Sequence, residues 1–268
     1  MWLEIIYLVS GLAIGFIVAK VFLDNKNSAN DSKEKDFSQA TIHELRAYLT
    51  NLGWIFEKLI EKGVPSYTDD EYKAISLGKS TVANANNLIN DTLAAVSVGR
   101  QEARFRFSIN DINKMIESIV SEYTMIAKER GIDFTFTSSA VPIPLFFFDN
   151  SQMYIAIHDL VHNAMKYTKN GGSINISTKL EEGRVIVTVR DTGIGIPEEE
   201  QKNIFTKFFR AKNAKDLYKE GSGLGMYISK NIITRHNGSI KLQSKEGEGT
   251  TIEVSLPLLQ TEPKENKN

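Results

Sequence analysis

Apolar residues run almost unbroken from Trp2 to Leu23, with Glu4 and Lys20 the only charges among them. At about 1.5 Å per residue the stretch makes roughly 33 Å of helix, enough to cross the hydrocarbon of a bilayer. Lys20 can snorkel to the interface, where Trp2 and Tyr7 also belong. A signal peptide fits poorly, because Glu4 stands where positive charge is needed and no small-residue cleavage site is evident. Lys20 near the end of the apolar run and Lys26, Lys33 and Lys35 after it predict that the remainder faces the cytoplasm. Residues 1–23 are thus expected to be a single-pass membrane anchor and the polar residues 24–36 a linker. From Phe37 the period turns helical: Leu45, Leu49, Leu52, Phe56 and Leu59 step by four and three. Gly63 and Pro65 break the pattern, and Thr68 is placed to cap a second helix. Ile75, Val82, Ala85, Ile89 and Val96 form the seam of that helix. Two such antiparallel helices over 37–103 carry more apolar surface than one hairpin hides, which predicts a four-helix bundle built from two chains.

From Arg104 the texture becomes short and alternating. "RFRFSI", "IDFTFTS", "PLFFFD", "SINISTKL", "RVIVTVRD", "SIKLQSKE" and "TTIEVSLP" read as strands. Helical stretches fall between them at 111–129, 151–167 and 223–236. The expected result over 104–258 is an α+β domain, a mixed sheet with helices on one face in a two-layer sandwich. Residues 259–268 are polar and read as a disordered tail.

Composition removes several chemistries. The 268 residues carry 32 Lys and Arg against 33 Asp and Glu, a formal net charge of −1, so no basic field points to nucleic acid. There is no cysteine, hence no disulfide, thiolate metal site or cysteine nucleophile, as suits a reducing compartment.

One helical stretch, "IHDLVHNAMKYT" (Ile157 to Thr168), carries two candidate sites on neighbouring stripes. His158 and His162, four apart, resemble the ligand pair of a zinc-protease helix, but a Glu general base would have to stand where Asp159 is. Asp159, Asn163, Lys166 and Tyr167 recur at helical spacing, as a magnesium–nucleotide site requires. Two glycine runs accompany them. "DTGIGIP" (Asp191 to Pro197) comes directly after a strand and "GSGLGMYISK" (Gly221 to Lys230) precedes a helix, places where bare backbone amides can approach phosphate. Asp191, ending its strand, is positioned to accept a hydrogen bond from the exocyclic amine of a base.

In order along the chain, "HELRAYL" (His43 to Leu49), "HDLVHNAMKYT", "DTGIGI", "IFTKFFR" (Ile204 to Arg210) and "GSGLGMYI" resemble the phosphoacceptor, asparagine, first glycine, phenylalanine and second glycine boxes of the sensor histidine kinases of two-component systems. The likeness covers about Phe37 to Pro257. It implies a dimeric four-helix bundle ahead of a Bergerat-type ATP-binding fold, with ATP and Mg²⁺ as ligands and the receiver domain of a response regulator as partner. By the same resemblance Asn163 coordinates magnesium, with Asp159 in place of the usual asparagine beside it. Lys166 meets phosphate, Tyr167 lies against adenine and Asp191 reads its amine. Gly193, Gly195, Gly221, Gly223, Leu224 and Gly225 shape the pocket and its lid, for which "RAKNAKDLYKE" (Arg210 to Glu220) is the charged, mobile candidate.

The resemblance makes His43 the phosphoacceptor. Neutral imidazole offers a lone pair near neutral pH, and Glu44 is adjacent to hold the proton of the other ring nitrogen. The expected function is a membrane-anchored, homodimeric kinase that phosphorylates its own His43. A nucleotide-binding pseudokinase scaffold and the zinc hydrolase are the alternatives of other classes. Ala47 and Tyr48 depart from the family's usual Thr or Asn and Pro after the acceptor, which implies weak phosphatase activity toward the receiver.

Overall fold

The computed structural model describes residues 49–61, 68–98, 105–218 and 221–258. The expected anchor (1–23), the linker (24–36), the acceptor stretch with His43, Glu44, Ala47 and Tyr48, and the tail (259–268) lie outside the described residues. Among the described residues no helix is long and apolar enough to cross a membrane. The chain divides into two compact units, Met1–Ile89 and Asn90–Asn268.

The first unit holds helix α1 (49–61) and most of α2 (Asp69–Val98). Thr68 and Glu71 form a reciprocal capping box at the start of α2. The Thr68 amide donates to Glu71 Oε2 at 2.8 Å, and the Glu71 amide donates to Thr68 Oγ1 at 3.3 Å. The Thr68 amide and hydroxyl, both donating to Glu71 Oε2, favour the carboxylate and hold Glu71 below its ordinary pKa. Leu49 and Val82 are buried between the helices, and Lys79 pairs with Glu57 across them at 3.4 Å. Leu52, Trp54, Ile55 and Leu77 remain exposed.

The second unit is α+β. After β1 (Ser108–Asn110) and α3 (Ile112–Glu129) come β2 (Asp133–Thr137), β3 (Phe146–Phe148), α4 (Asn150–Tyr167), β4 (Ser173–Glu181) and β5 (Arg184–Asp191). The short helices α5 (Glu198–Gln201) and α6 (Lys212–Leu217) precede α7 (Gly225–Arg235), β6 (Ser239–Lys245) and β7 (Gly249–Pro257). Five strands form one mixed sheet in the order β2-β4-β5-β7-β6, parallel only between β2 and β4. Alternation in the strands puts Ile174, Ile176, Val185, Val187, Val189, Ile252 and Val254 on one buried face, where they join the apolar stripes of α3, α4 and α7 in a single core. The seven strand-like runs do not all enter that sheet: β1 and β3 pair only with each other, antiparallel, with Ser108 opposite Phe148.

That small ladder sets the start of α4. Asp149, directly after β3, caps the helix by accepting from the Gln152 amide at 3.0 Å. Its other oxygen accepts from the Arg106 amide at 2.7 Å, and its own amide donates to Nε2 of buried His236 at 3.0 Å. His236 Nδ1 in turn donates to the Ile232 carbonyl at 2.8 Å, so burial keeps the imidazole neutral and lowers its pKa. At the far end the Arg130 guanidinium donates to the carbonyls of Met165 and Thr168 and to Asn170 Oδ1. α4 is thereby fixed at both ends, which positions everything on its exposed stripe.

Candidate functional site

The apolar stripe of α4 is spent on the core, through Met153, Ala156, Ile157, Leu160, Val161, Ala164 and Met165. Asp159, Asn163, Lys166 and Tyr167 are left half-buried along one side of the helix. Three segments converge on that side. The start of α7 brings Gly225 so close that a methyl group there would stand 3.1 Å from an Asp159 carboxylate oxygen. The turn after β5 is tied to the end of α4 by the Ile194 amide, which donates to the Tyr167 carbonyl at 3.2 Å. The end of the lid reaches back through the Tyr218 hydroxyl, which donates to the Lys166 carbonyl at 3.0 Å.

Asp191 lies at the end of β5 beside this convergence. Its Oδ1 accepts from the Gly193 amide at 2.8 Å and from the Thr250 amide at 3.2 Å. Burial pushes its carboxyl up to about 6, against the pull of those two N–H groups. Gly193 has no room for a side chain: a methyl group would come within 2.7 Å of both Asp191 Oδ1 and the Tyr167 carbonyl oxygen. Gly195 is held at φ +62°, where a methyl group would overlap the Lys245 carbonyl at 1.9 Å. Gly221 and Gly223 end the lid. The first faces Lys166 Nζ and the Arg210 guanidinium, and the second packs on the main chain of Phe208 and Phe209. Leu224 is fully buried in the core, so it anchors the start of α7 and can offer a ligand main chain only.

The Lys166 ammonium is bracketed by two rings, 5.6 Å from the centroid of Tyr167 and 5.1 Å from that of Tyr218. Those rings meet edge to face at 5.9 Å. Burial raises the pKa of Tyr167, and the neighbouring Arg210 guanidinium opposes the shift. The lid itself contains α6, whose first amide, Lys212, is satisfied by Glu200 Oε2 at 2.9 Å. Asn213 Nδ2 ties the same helix to the Gly195 carbonyl at 2.9 Å.

The rival stripe is built differently. His158 Nε2 is 3.1 Å from the Tyr123 hydroxyl, and its ring is parallel to that of His162 at 6.4 Å, so the two imidazoles do not converge on one point. Among the described residues no three His, Cys, Asp or Glu side chains are grouped to hold a metal ion. Asp159 and Asn163, oxygen donors one helical turn apart, fit a hard cation that keeps several waters and shares its remaining positions with phosphate. Thr250, Arg210 and Tyr218 join the site without having been singled out from sequence. Arg210 closes the "IFTKFFR" run and Tyr218 is the one aromatic residue in the charged lid, whereas Thr250 gives no local signal.

Residues 148–260 match the family model of the histidine kinase-, DNA gyrase B-, and HSP90-like ATPases. The sensor protein SrrB of Staphylococcus aureus (strain NCTC 8325 / PS 47) is 28% identical over 243 residues, 91% of this chain. The chain spans 41% of the length of that relative. The catalytic domain of the histidine kinase ThkA is 26% identical over 58% of this chain and 97% of its own, with a TM-score of 0.51. ThkA solved in complex with the response regulator protein TrrA is 20% identical over 83% of this chain and 61% of its own, with a TM-score of 0.56. Full-length ShkA, solved in complex with AMPPNP, shares the fold at 20% identity over 84% of this chain and 46% of its own, with a TM-score of 0.68. Residues 148–260 thus form a histidine kinase-, DNA gyrase B-, and HSP90-like ATPase domain, in a chain that over most of its length is similar to sensor histidine kinases.

Proposed function

We propose that this chain is a membrane-anchored, homodimeric sensor kinase that transfers the γ-phosphoryl group of ATP to His43 and then to an aspartate of a response regulator. The observation that carries the nucleotide part is the convergence on one side of α4: Asn163, Lys166 and Tyr167 beside a half-buried Asp191 whose Oδ1 is held by the Gly193 and Thr250 amides. Asp191 accepts the amine of the base, Tyr167 and the glycine turn enclose the ring, and Lys166 meets the phosphates. Asn163 and Asp159 hold magnesium, which when bound neutralises charge on the phosphate oxygens. One ring nitrogen of His43 attacks the γ-phosphorus, the bond to the bridging oxygen breaks, and ADP departs with that electron pair. Glu44 holds the proton of the other ring nitrogen as the imidazole becomes positive. The ATPase domain, the likeness to the sensor protein SrrB over 91% of this chain and the ThkA–TrrA complex support this reading.

The test is labelling of the purified chain with γ-labelled Mg-ATP. His43→Gln is expected to abolish acid-labile phosphate while ATP binding stays unchanged, because the acceptor stretch and Asp191 belong to different units. Label that survives in His43→Gln overturns the assignment. Binding without any label in the unaltered chain favours the scaffold alternative.

A further inference from the structure

Lys166 has a long, flexible side chain, and ordering it against a phosphate costs conformational entropy that the binding energy must overcome. The lid reduces that cost before any ligand arrives. Tyr218 sits one residue beyond α6 and reaches over to the end of α4, where its hydroxyl donates to the Lys166 carbonyl at 3.0 Å. Its ring stands 5.1 Å from Lys166 Nζ and edge to face with Tyr167, so the ammonium is confined between two aromatic walls. The main chain of Tyr218 is itself fixed, because the Arg210 guanidinium donates to its carbonyl oxygen and its amide donates to the Ala214 carbonyl at 3.1 Å. The hydroxyl thus fastens the lid to a carbonyl of the last turn of α4, where the helical hydrogen-bond ladder runs out.

We infer that Tyr218 is a nucleotide-positioning residue: it anchors the lid on the end of α4 and holds Lys166 where the phosphates of the nucleotide arrive. The inference rests on the proposed nucleotide reading of α4 and assigns to the lid a role in affinity. A phosphate outcompetes two rings for an ammonium group, because charge-assisted pairing is the stronger contact. Lys166 therefore moves only a short way on binding, and the anchor through its carbonyl persists. The prediction is an effect on KM rather than on kcat, because the contact is made equally with the ground state and the transition state.

The experiment compares the unaltered chain with Tyr218→Phe and Tyr218→Ala. It measures equilibrium binding of Mg-ATP and autophosphorylation rates across ATP concentrations. Tyr218→Ala is expected to raise Kd and KM about tenfold with kcat within about twofold, from the joint loss of ring and hydroxyl. Tyr218→Phe, which keeps the ring, should give roughly a threefold rise. More than a third of Tyr218 is exposed, so the thermal midpoint should not move. Unchanged Kd in Tyr218→Ala overturns the inference, as does tighter binding, which would make the side chain a plug. Asp191→Asn in the same assay separates the two layers. If it abolishes binding while Tyr218→Ala does nothing, only the anchor is wrong; if neither variant has an effect, the nucleotide reading fails as well.

Discussion

At the scale of single residues, Asp191 carries a conflict that has a measurable sign. Its carboxyl titrates near 6 in the fold against an ordinary value of 3.8, because burial disfavours the charge. A raised carboxyl pKa stabilises the fold below the unfolded value, and that contribution disappears as pH rises through the folded one. Above pH 6 the empty domain therefore bears an unfavourable half-buried carboxylate, in the ionised form that the proposed role as acceptor for a base amine requires. Asp191→Asn should stabilise the nucleotide-free domain at pH 7.5 by about 1–2 kcal/mol, discounted for partial exposure, with the gain vanishing below about pH 4. The same variant should lose ATP affinity, and in the unaltered chain affinity should fall as pH drops through 6, approaching tenfold per unit. Binding that is flat between pH 7.5 and 5 contradicts the role. The stripe of α4 was legible because its residues are three and four apart on one helix, and Asp191 because a glycine turn comes directly after it. Thr250, the second donor to Asp191, was not legible, since it comes from 59 residues away and is placed only by the β5–β7 register.

Elements were legible where a period repeats and illegible where pairing decides. The three long helices of the second unit begin and end within about two residues of their expected bounds, because each carries several turns of apolar stripe. All seven strand runs also form, yet nothing in "RFRFSI" or "PLFFFD" shows that these two pair apart from the main sheet. α6 was missed because Lys212–Leu217 is too short for a period and owes its start to Glu200. The start of β7 shows how an element sets the site. Gly249 has φ +121°, and a methyl group there would stand 2.1 Å from the Asp191 carbonyl oxygen. Gly249→Ala should therefore push β7 off β5 beside the Asp191 carboxylate, costing on the order of 2–4 kcal/mol and weakening ATP binding as well. Gly247 gives the control: it has φ +80° with nothing within 4 Å of the added carbon, so Gly247→Ala should cost only about 1 kcal/mol. Denaturant melts and nucleotide titrations of the two variants check this. Equal losses would mean that backbone strain alone, and not the approach to Asp191, governs the site.

At the scale of the whole molecule, the first unit has an unfinished core. The seam read from sequence predicts burial of Leu49, Leu52, Phe56 and Leu59 against Ile75, Val82 and Ala85. In the single chain, among the described residues of this unit, only Leu49 and Val82 are buried. Leu52 is 38% exposed, Ile55 47%, Leu77 55% and Trp54 60%, and neither described helix of the unit covers them. Large apolar side chains clustered at a surface mark an interface, and two hairpins packed face to face give a closed four-helix core. A second copy is the occupant the heptad spacing fits, because the seam repeats on both helices. The expectation is that residues 37–268 sediment as a dimer at micromolar concentration. Trp54→Asp combined with Ile55→Asp should shift the chain to a monomer, since each carboxylate would have to be buried unpaired in the interface. The ATPase domain alone, residues 104–258, should remain monomeric and bind Mg-ATP with the affinity of the full chain. Light scattering read against nucleotide titration separates the units. A double variant that stays dimeric would place the interface elsewhere. A monomer that also fails to bind ATP would show that nucleotide binding depends on the first unit.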